Sequence, residues 1–293
     1  MLRRFIAALN HAPLVSVHLA TLLFGLAGVL GAAVGVNAIE VTFGRTLFAS
    51  LALAAVCWLA KTPLKLHIKS FDSFLLLISG VLLAFHWVVF FAGIQYSTVA
   101  IGLVTFSTCP VFVSLLEPLI FKEPRGPYAV LAAFLVLLGV VIISGVHTGE
   151  LVYLKGIALG IVGGFSFALL QLLNRRLASN DGALVTSLVQ SCVAALVLLP
   201  IVFTGLGNIQ SHQWLLLMVL GVACTALAYT LFIAALKRVK VSAASLIAAG
   251  LEPVYGVVLA AIILSQRPAP NVLIGGAIIL ATVMLVTVRK KQP

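Results

Sequence analysis

The tetrapeptide Thr108-Cys109-Pro110-Val111 lies inside a long apolar segment, and Leu251-Glu252-Pro253-Val254 takes the same place in a later one. The two prolines are 143 residues apart (253 − 110). The same spacing aligns His86 with Tyr229. This register predicts that the second half of the chain repeats the first.

Ten apolar stretches, each long enough to cross a bilayer, make up most of the chain. They are predicted at 14–36, 41–60, 71–94, 99–121, 127–146, 154–173, 183–206, 214–236, 242–264 and 271–288. Because five spans per copy is an odd number, the second copy enters the membrane from the opposite side. We therefore expect an all-α membrane protein with ten transmembrane helices in two inverted five-helix repeats, residues 1–149 and 150–293. Repeats of this kind build a site near the midplane that opens to either face.

The composition also requires a membrane protein. The chain is 62% hydrophobic and 9% charged, with a mean hydropathy of +1.24, whereas a soluble domain carries about 25% charged residues. Fifteen of its 18 Lys and Arg residues flank the spans on the side of both termini; only Lys155 and Arg267 lie on the other side, and Arg45 lies within a span. The positive-inside rule then predicts cytoplasmic N- and C-termini. The net charge of +11 is thereby explained by topology, and we expect no nucleic-acid partner.

Glu252 is the first candidate for a functional residue, because it falls near the middle of the ninth span. A carboxylate at that depth costs roughly 3 kcal/mol or more unless it is paired, hydrated or protonated. Its counterpart in the repeat is Cys109, so the carboxylate is not needed to make the fold. Glu252 either binds a substrate ammonium, carries a proton, does both, or serves a structural role by bonding to the backbone freed by Pro253.

His86 and Tyr229 form the second candidate pair, at matching depths in the third and eighth spans. Both residue types can stack and form hydrogen bonds, and the side chain of histidine can titrate near neutral pH. They either line a central cavity or make interhelical hydrogen bonds. Pro110 and Pro253 each interrupt helical hydrogen bonding, and paired breaks at equivalent depth indicate hinges beside a substrate site. Arg45 is expected to extend outward to the interface or to pair with Glu40.

Small residues predict where helices come close, since membrane helices associate through tight backbone packing. The first span of each repeat carries such a face: Gly28, Gly31 and Gly35 in the first half, and Gly156, Gly160 and Gly164 in the second.

Several local patterns resemble the drug/metabolite transporter superfamily, specifically the EamA-type transporters. The segments are Phe43-Gly-Arg45-Thr-Leu-Phe-Ala49, His86-Trp-Val-Val-Phe-Phe-Ala-Gly93, Cys109-Pro110 followed by Lys122-Glu123, Phe165-Ser-Phe-Ala-Leu169, and Leu251-Glu-Pro253 followed by Ser265-Gln266. The chain departs from the family pattern at Gln266, where Glu is usual, and at Phe24-Gly25, where the first helix often has Trp.

The resemblance implies a secondary transporter of small metabolites that works by alternating access. The expected cargo is an amino acid or related metabolite, which is exported, with proton coupling left open. The resemblance also implies a cavity between spans 1, 3, 4, 6, 8 and 9. Its lining would be Phe24, His86, Phe90, Cys109, Gln171, Tyr229, Glu252 and Tyr255.

The expected setting is a bacterial inner (plasma) membrane, where the partners are the lipid bilayer and a small-molecule substrate, with a homodimer left open. We expect no cofactor and no metal. An enzyme is disfavoured because the sequence has no H-E-x-x-H or G-x-S-x-G motif and no paired intramembrane Asp. A passive channel or facilitator remains an alternative. A nucleotide-sugar carrier is another, although its anionic cargo would call for cavity cations and Arg45 alone could supply one.

Overall fold

The computed structural model describes residues 13–62, 71–122, 129–144 and 153–288. Over these residues the chain is helical, with short connections. The helices are α1 (Pro13–Ala33), α2 (Ala38–Leu59), α3 (Phe71–Gln95), α4 (Val99–Phe106), α5 (Cys109–Phe121), α6 (Ala129–Ser144), α7 (Leu154–Asp181), α8 (Ala183–Val202), α9 (Ser211–Gly221), α10 (Ala228–Leu236), α11 (Val241–Ile263) and α12 (Pro270–Val288). A π-helical segment, Val222–Leu227, joins α9 to α10.

Eight helical rods in the described part of the chain are long and apolar enough to cross a membrane. They have 20 to 26 residues each, or about 30–39 Å at 1.5 Å per residue. Two of these rods are composite, α4 with α5 and α9 with α10. The remaining helices, α6 with 16 residues and α12 with 19, occupy the fifth and tenth predicted spans. Large apolar side chains such as Trp58 and Ile262 remain exposed on the outside of the bundle, as expected of a surface that faces lipid.

The two halves correspond helix by helix. The starts of α1, α2, α3, α4 and α6 precede those of α7, α8, α9, α11 and α12 by 141, 145, 140, 142 and 141 residues. The contacts correspond as well: α1 packs on α10 and α11, and α7 packs on α3, α4 and α5, while α2 packs on α8 and α6 on α12. If each helix is replaced by its counterpart from the other half, the same list of contacts results. The predicted boundary between residues 149 and 150 lies outside the described residues.

The predicted glycine faces lie at close helix contacts. A Cβ added at Gly156 would come 2.8 Å from the Gly93 carbonyl oxygen, and one at Gly31 would meet the Phe91 ring. Gly164 faces the break between α4 and α5, where a Cβ would lie 2.8 Å from the Phe106 carbonyl oxygen. Gly35 instead follows the end of α1 and adopts φ +76, a conformation that favours glycine.

The two predicted hinge prolines lie in different backbone settings. Pro110 lies in the first turn of α5, directly after the break at 107–108, where its missing N–H costs little. The Ser107 hydroxyl bridges this break to α11 by donating to the Ala249 carbonyl oxygen at 2.9 Å. Pro253 lies inside α11, which continues as one helix from Val241 to Ile263. In this conformation the helix is therefore interrupted beside Pro110 and continuous through Pro253.

Candidate functional site

A small cavity lies at the centre of the bundle. Its volume is about 20 Å³, enough for about one water molecule. Residues from both halves line it: Phe24, Ala27, Arg45, His86, Trp87, Phe90, Phe106, Phe167, Tyr229 and Glu252. Five of the eight residues predicted from the sequence are in this set, and all ten lining residues are buried.

Glu252 contributes a buried carboxylate to the cavity. It is the twelfth of the 23 residues of α11 and only 3% exposed. Among the described residues, nothing forms a hydrogen bond or an ion pair with this carboxylate. A bond to the backbone freed by Pro253, the structural alternative, is therefore not made. An ionised group in this position needs a cation, water or a proton to offset its desolvation.

Arg45 also lines the cavity, and here the expectation from the sequence is wrong. The side chain neither reaches the interface nor pairs with Glu40; it is 1% exposed. Glu40 is used elsewhere, accepting a hydrogen bond from the Asn37 backbone N–H at 3.1 Å in the capping box that starts α2. The guanidinium of Arg45 lies instead 3.9 Å from the centroid of the Trp87 ring, a cation–π contact that offsets part of its burial.

The π segment provides the polar partners of Arg45. Its Nε–H donates to the Thr225 hydroxyl at 2.9 Å, and its Nη2 donates to the Cys224 carbonyl oxygen at 3.1 Å. A π turn shifts the helical hydrogen-bond register by one residue, and such turns recur at functional sites. Thr225 supports the shifted register, because its hydroxyl donates to the Leu220 carbonyl oxygen five residues earlier.

His86 is held in a fixed orientation by α7. Its Nδ1 lies 3.1 Å from both the Gly163 carbonyl oxygen and the Ser166 hydroxyl. Because a carbonyl oxygen only accepts, Nδ1 carries the proton, and in the neutral ring Nε2 retains the lone pair. The ring stacks on Phe167 with centroids 5.0 Å apart. His86 thus combines both roles proposed from the sequence, an interhelical hydrogen bond and a place in the cavity wall.

Tyr229 faces the cavity with its ring and bonds away from it with its hydroxyl. The ring packs edge-on against Trp87 with centroids 5.7 Å apart. The hydroxyl accepts a hydrogen bond of 2.8 Å from Asn174 on α7. Contacts therefore hold both the ring and the hydroxyl of Tyr229 in place.

The other five predicted residues fall into two groups. Phe24 and Phe90 form part of the apolar wall of the cavity, whereas Cys109, Gln171 and Tyr255 lie outside the lining. Gln171 Nε2 donates to Cys109 Sγ at 3.1 Å and to the Ser245 hydroxyl at 3.3 Å. Tyr255 is half-buried and packs where α11 meets α1, its Cβ 2.9 Å from the position that a Cβ on Gly25 would take.

A larger cavity, of about 260 Å³, lies away from these charges, between the ends of α4, α6, α11 and α12. Two of its partly buried polar side chains already have partners: Gln266 accepts from the Val99 N–H at 3.2 Å, and Asn271 donates to the Ile143 carbonyl oxygen at 3.2 Å. We therefore place the candidate site at the smaller, central cavity. In the described part of the chain, no three His, Cys, Asp or Glu side chains converge as metal ligands.

The rest of the cavity wall is hard to predict from the sequence. Trp87 and Phe106 are aromatic residues among many in apolar spans. Phe167 could have been found as the neighbour of Ser166 in a segment already singled out. Arg45 carried the clearest signal, since a lone arginine inside a span is costly and faces a protein interior or a water-filled cavity.

Membrane-length helices, an apolar outer surface and an enclosed cavity with two charges define an integral, multi-pass membrane protein with an internal site. The chain belongs to the EamA-like transporter family, whose model matches residues 12–145 and again residues 154–288. It is therefore a transporter of EamA type rather than an enzyme.

Relatives of similar length support this membership. An uncharacterized transporter of Bacillus subtilis (strain 168), YxxF, is 26% identical over 282 residues, covering 94% of this chain and 90% of its own. An uncharacterized transporter of Archaeoglobus fulgidus is 28% identical over 272 residues, covering 92% and 94%. A solved crystal structure shares the fold, with a TM-score of 0.73 at 16% identity over 96% of this chain and 99% of the other.

Proposed function

We propose that this protein is a secondary transporter that exports an amino acid or a related small metabolite across a bacterial inner membrane by alternating access, with a proton coupled through Glu252. The observation that carries the proposal is the Glu252 carboxylate, which is buried at mid-helix in the central cavity without a described partner. In lipid such a group is retained at a considerable energetic cost, which indicates a functional role.

The architecture supports alternating access. The halves match helix for helix, the family model matches each half separately, and both halves contribute to the cavity wall. We propose ten spans, with α6 and α12 crossing the membrane beside the eight longer rods, and an inverted relation between the halves. A rocking motion of one half against the other would then expose the cavity to each face in turn.

The charges of the cavity favour a small zwitterionic cargo over a nucleotide sugar. Its lining contains one guanidinium and one carboxylate, Arg45 and Glu252. A diphosphate would need an excess of cations, whereas an amino acid balances both groups.

The test is uptake of labelled amino acids into vesicles that contain the purified protein, with the pH gradient imposed in either direction. Coupled transport predicts accumulation above equilibrium that reverses with the gradient. Flux that only equilibrates the label, and that stays the same at every gradient, would show a passive facilitator instead.

A further inference from the structure

We propose that Arg45 binds the carboxylate of the transported molecule, and that the π segment Val222–Leu227 holds its guanidinium ready until the substrate arrives. This inference rests on the proposed transport function. It narrows the cargo to small molecules that carry both a carboxylate and an ammonium group, with Glu252 facing the ammonium.

The hydrogen-bonding capacity of Arg45 is only partly used. A guanidinium has five N–H donors, and the described contacts engage two of them, one to Thr225 and one to Cys224. The contact with Trp87, in which the guanidinium carbon lies 3.9 Å from the ring centroid, uses no donor. The remaining donors allow the two parallel hydrogen bonds with which arginine recognises a carboxylate.

Glu252 does not use the free hydrogen-bond donors of Arg45. Both residues line the cavity, yet within the described structure no ion pair of 4 Å or less joins them. Two opposite charges that share one cavity, each with unused bonding capacity, match a molecule with one charge of each sign. A neutral or purely cationic cargo would leave the guanidinium unsatisfied, which is costly in a dry site.

The repeat shows that this arrangement is not required by the fold. At the 145-residue offset between α2 and α8 Arg45 corresponds to Gln190, and in the 143-residue register Glu252 corresponds to Cys109. The π segment corresponds in that register to residues 79–84, which belong to the regular helix α3. Two uncharged side chains and an ordinary helix therefore serve in the other half, and the two charged side chains meet at one cavity.

Binding assays on the purified full-length protein test this inference. The probes are the L-amino acids, their carboxamides and the corresponding decarboxylated amines, measured by thermal shift and by competition. We expect the parent protein to bind at least one free acid about tenfold or more tightly than its amide, since a charged hydrogen bond is lost in the amide. Arg45→Gln is expected to bind acid and amide alike, whereas Arg45→Lys keeps the preference for the acid at reduced affinity.

Thr225→Val separates a binding role of Arg45 from a structural one, and it serves even if Arg45→Gln does not fold. The variant removes one of the two bonds that hold the guanidinium in place, so the free acid is expected to bind about two- to tenfold more weakly while it is still preferred over its amide. Thr230→Val is the matched control, because the Thr230 hydroxyl lies in the same rod, is buried and bonds to no described residue. Its affinity for the acid should equal that of the parent.

Several results would overturn the inference. They are a parent protein that binds no free acid, equal affinity of the parent for acid and amide, an Arg45→Gln variant that still prefers the acid, and a Thr225→Val variant that loses stability yet binds the acid as tightly as the parent. The proposed transport function fails separately: acid binding that depends on Arg45, without flux in vesicles, refutes transport of that acid and leaves the role of Arg45 intact.

Discussion

The Tyr229 hydroxyl accepts a hydrogen bond of 2.8 Å from the Asn174 side chain, and this bond ties α10 to α7. The link extends further, because Gln190 Nε2 donates to Asn174 Oδ1 at 2.7 Å and to the Ser79 hydroxyl at 2.6 Å. Four rods of the bundle are therefore connected by one buried polar chain. The phenol ring of Tyr229 borders the cavity, while its hydroxyl belongs to this network.

Tyr229→Phe is expected to lower stability more than it lowers transport. The substitution keeps the ring against Trp87 but leaves the Asn174 amide without its acceptor, at a cost of about 1–3 kcal/mol for a buried polar group. Thermal unfolding in detergent measures the loss, and uptake in vesicles measures function. A variant that unfolds like the parent yet transports at a small fraction of its rate would place the hydroxyl in the substrate site.

His86→Ala is expected to weaken substrate binding about tenfold or more while the protein still folds, because the imidazole and its stack on Phe167 form one wall of the cavity. Competition binding with the best amino-acid ligand provides the measurement. Ser166→Ala is the matched control, since it removes one partner of Nδ1 and leaves the ring in place. Loss of folding in His86→Ala, with normal affinity in the fraction that folds, would instead assign the residue to packing.

Glu252→Gln is expected to fold normally and to lose active, pH-dependent transport, retaining at most exchange of substrate. The amide keeps the shape and most hydrogen bonds of the carboxylic acid but neither ionises nor carries a proton. Protonated Glu252 is cheap to enclose in the closed cavity, whereas the ionised form favours water or a cationic group, so the two forms bias which face opens. The groups beside it in the cavity are Arg45 and His86. Uptake from about pH 5.5 to about pH 8 tests this, and a variant that matches the parent across that range would make the carboxylate structural.

Labelling of introduced cysteines tests the topology. Sites near Gly149 and Asn208 should react with an impermeant reagent added from outside, while sites near Lys65 and Asp181 should be protected until the membrane is opened. The reason is the charge asymmetry, from which the positive-inside rule predicts that the basic loops are cytoplasmic. The reverse pattern of labelling would invert the protein and refute the argument from charge.

Gly156→Ala is expected to destabilise the bundle by about 1–3 kcal/mol, because a methyl group there meets the Gly93 carbonyl oxygen and Ser97 in the contact between α7 and α3. Gly250→Ala is the control: its Cβ would meet no described atom within 4 Å, and alanine is the better helix former by about 1 kcal/mol. Thermal stability of the two variants in the same detergent decides the comparison. Equal stability would show that α7 and α3 separate readily.

The positions of the spans could be predicted from the sequence because an apolar segment of membrane length can adopt few structures other than a transmembrane helix. Glycine contacts and the places of Glu252, His86 and Tyr229 followed from the same reasoning combined with the repeat, whereas Phe24 and Phe90 were implied by the family resemblance. An interior position of Arg45 could have been inferred from its depth in a span, but its partners could not, since distance along a helix gives depth but not direction. Those partners, the Thr225 hydroxyl and the Cys224 carbonyl oxygen, lie in a π turn at 222–227, whose sequence is as apolar as its regular counterpart at 79–84.

The difference between Pro110 and Pro253 had a similar cause. Neither proline has a backbone N–H to donate, yet only the first lies beside a break. At that break the Ser107 hydroxyl reaches a carbonyl of α11, and Gly164 lets α7 approach the exposed backbone. These are contacts between distant parts of the chain, which a local sequence pattern does not show.

The closed cavity, with room for about one water, also has an electrical consequence. With Glu252 ionised it encloses one positive and one negative side chain, so a carrier with neutral His86 that is loaded with a zwitterion moves outward with no net fixed charge. The membrane potential then does no work on that step, and the current measured per turnover counts only the proton that Glu252 carries inward on the return. For export of one zwitterion against one proton, that is one elementary charge, worth about 2.3 kcal/mol per 100 mV, and the potential alone could then sustain an uphill gradient of a molecule that is itself neutral.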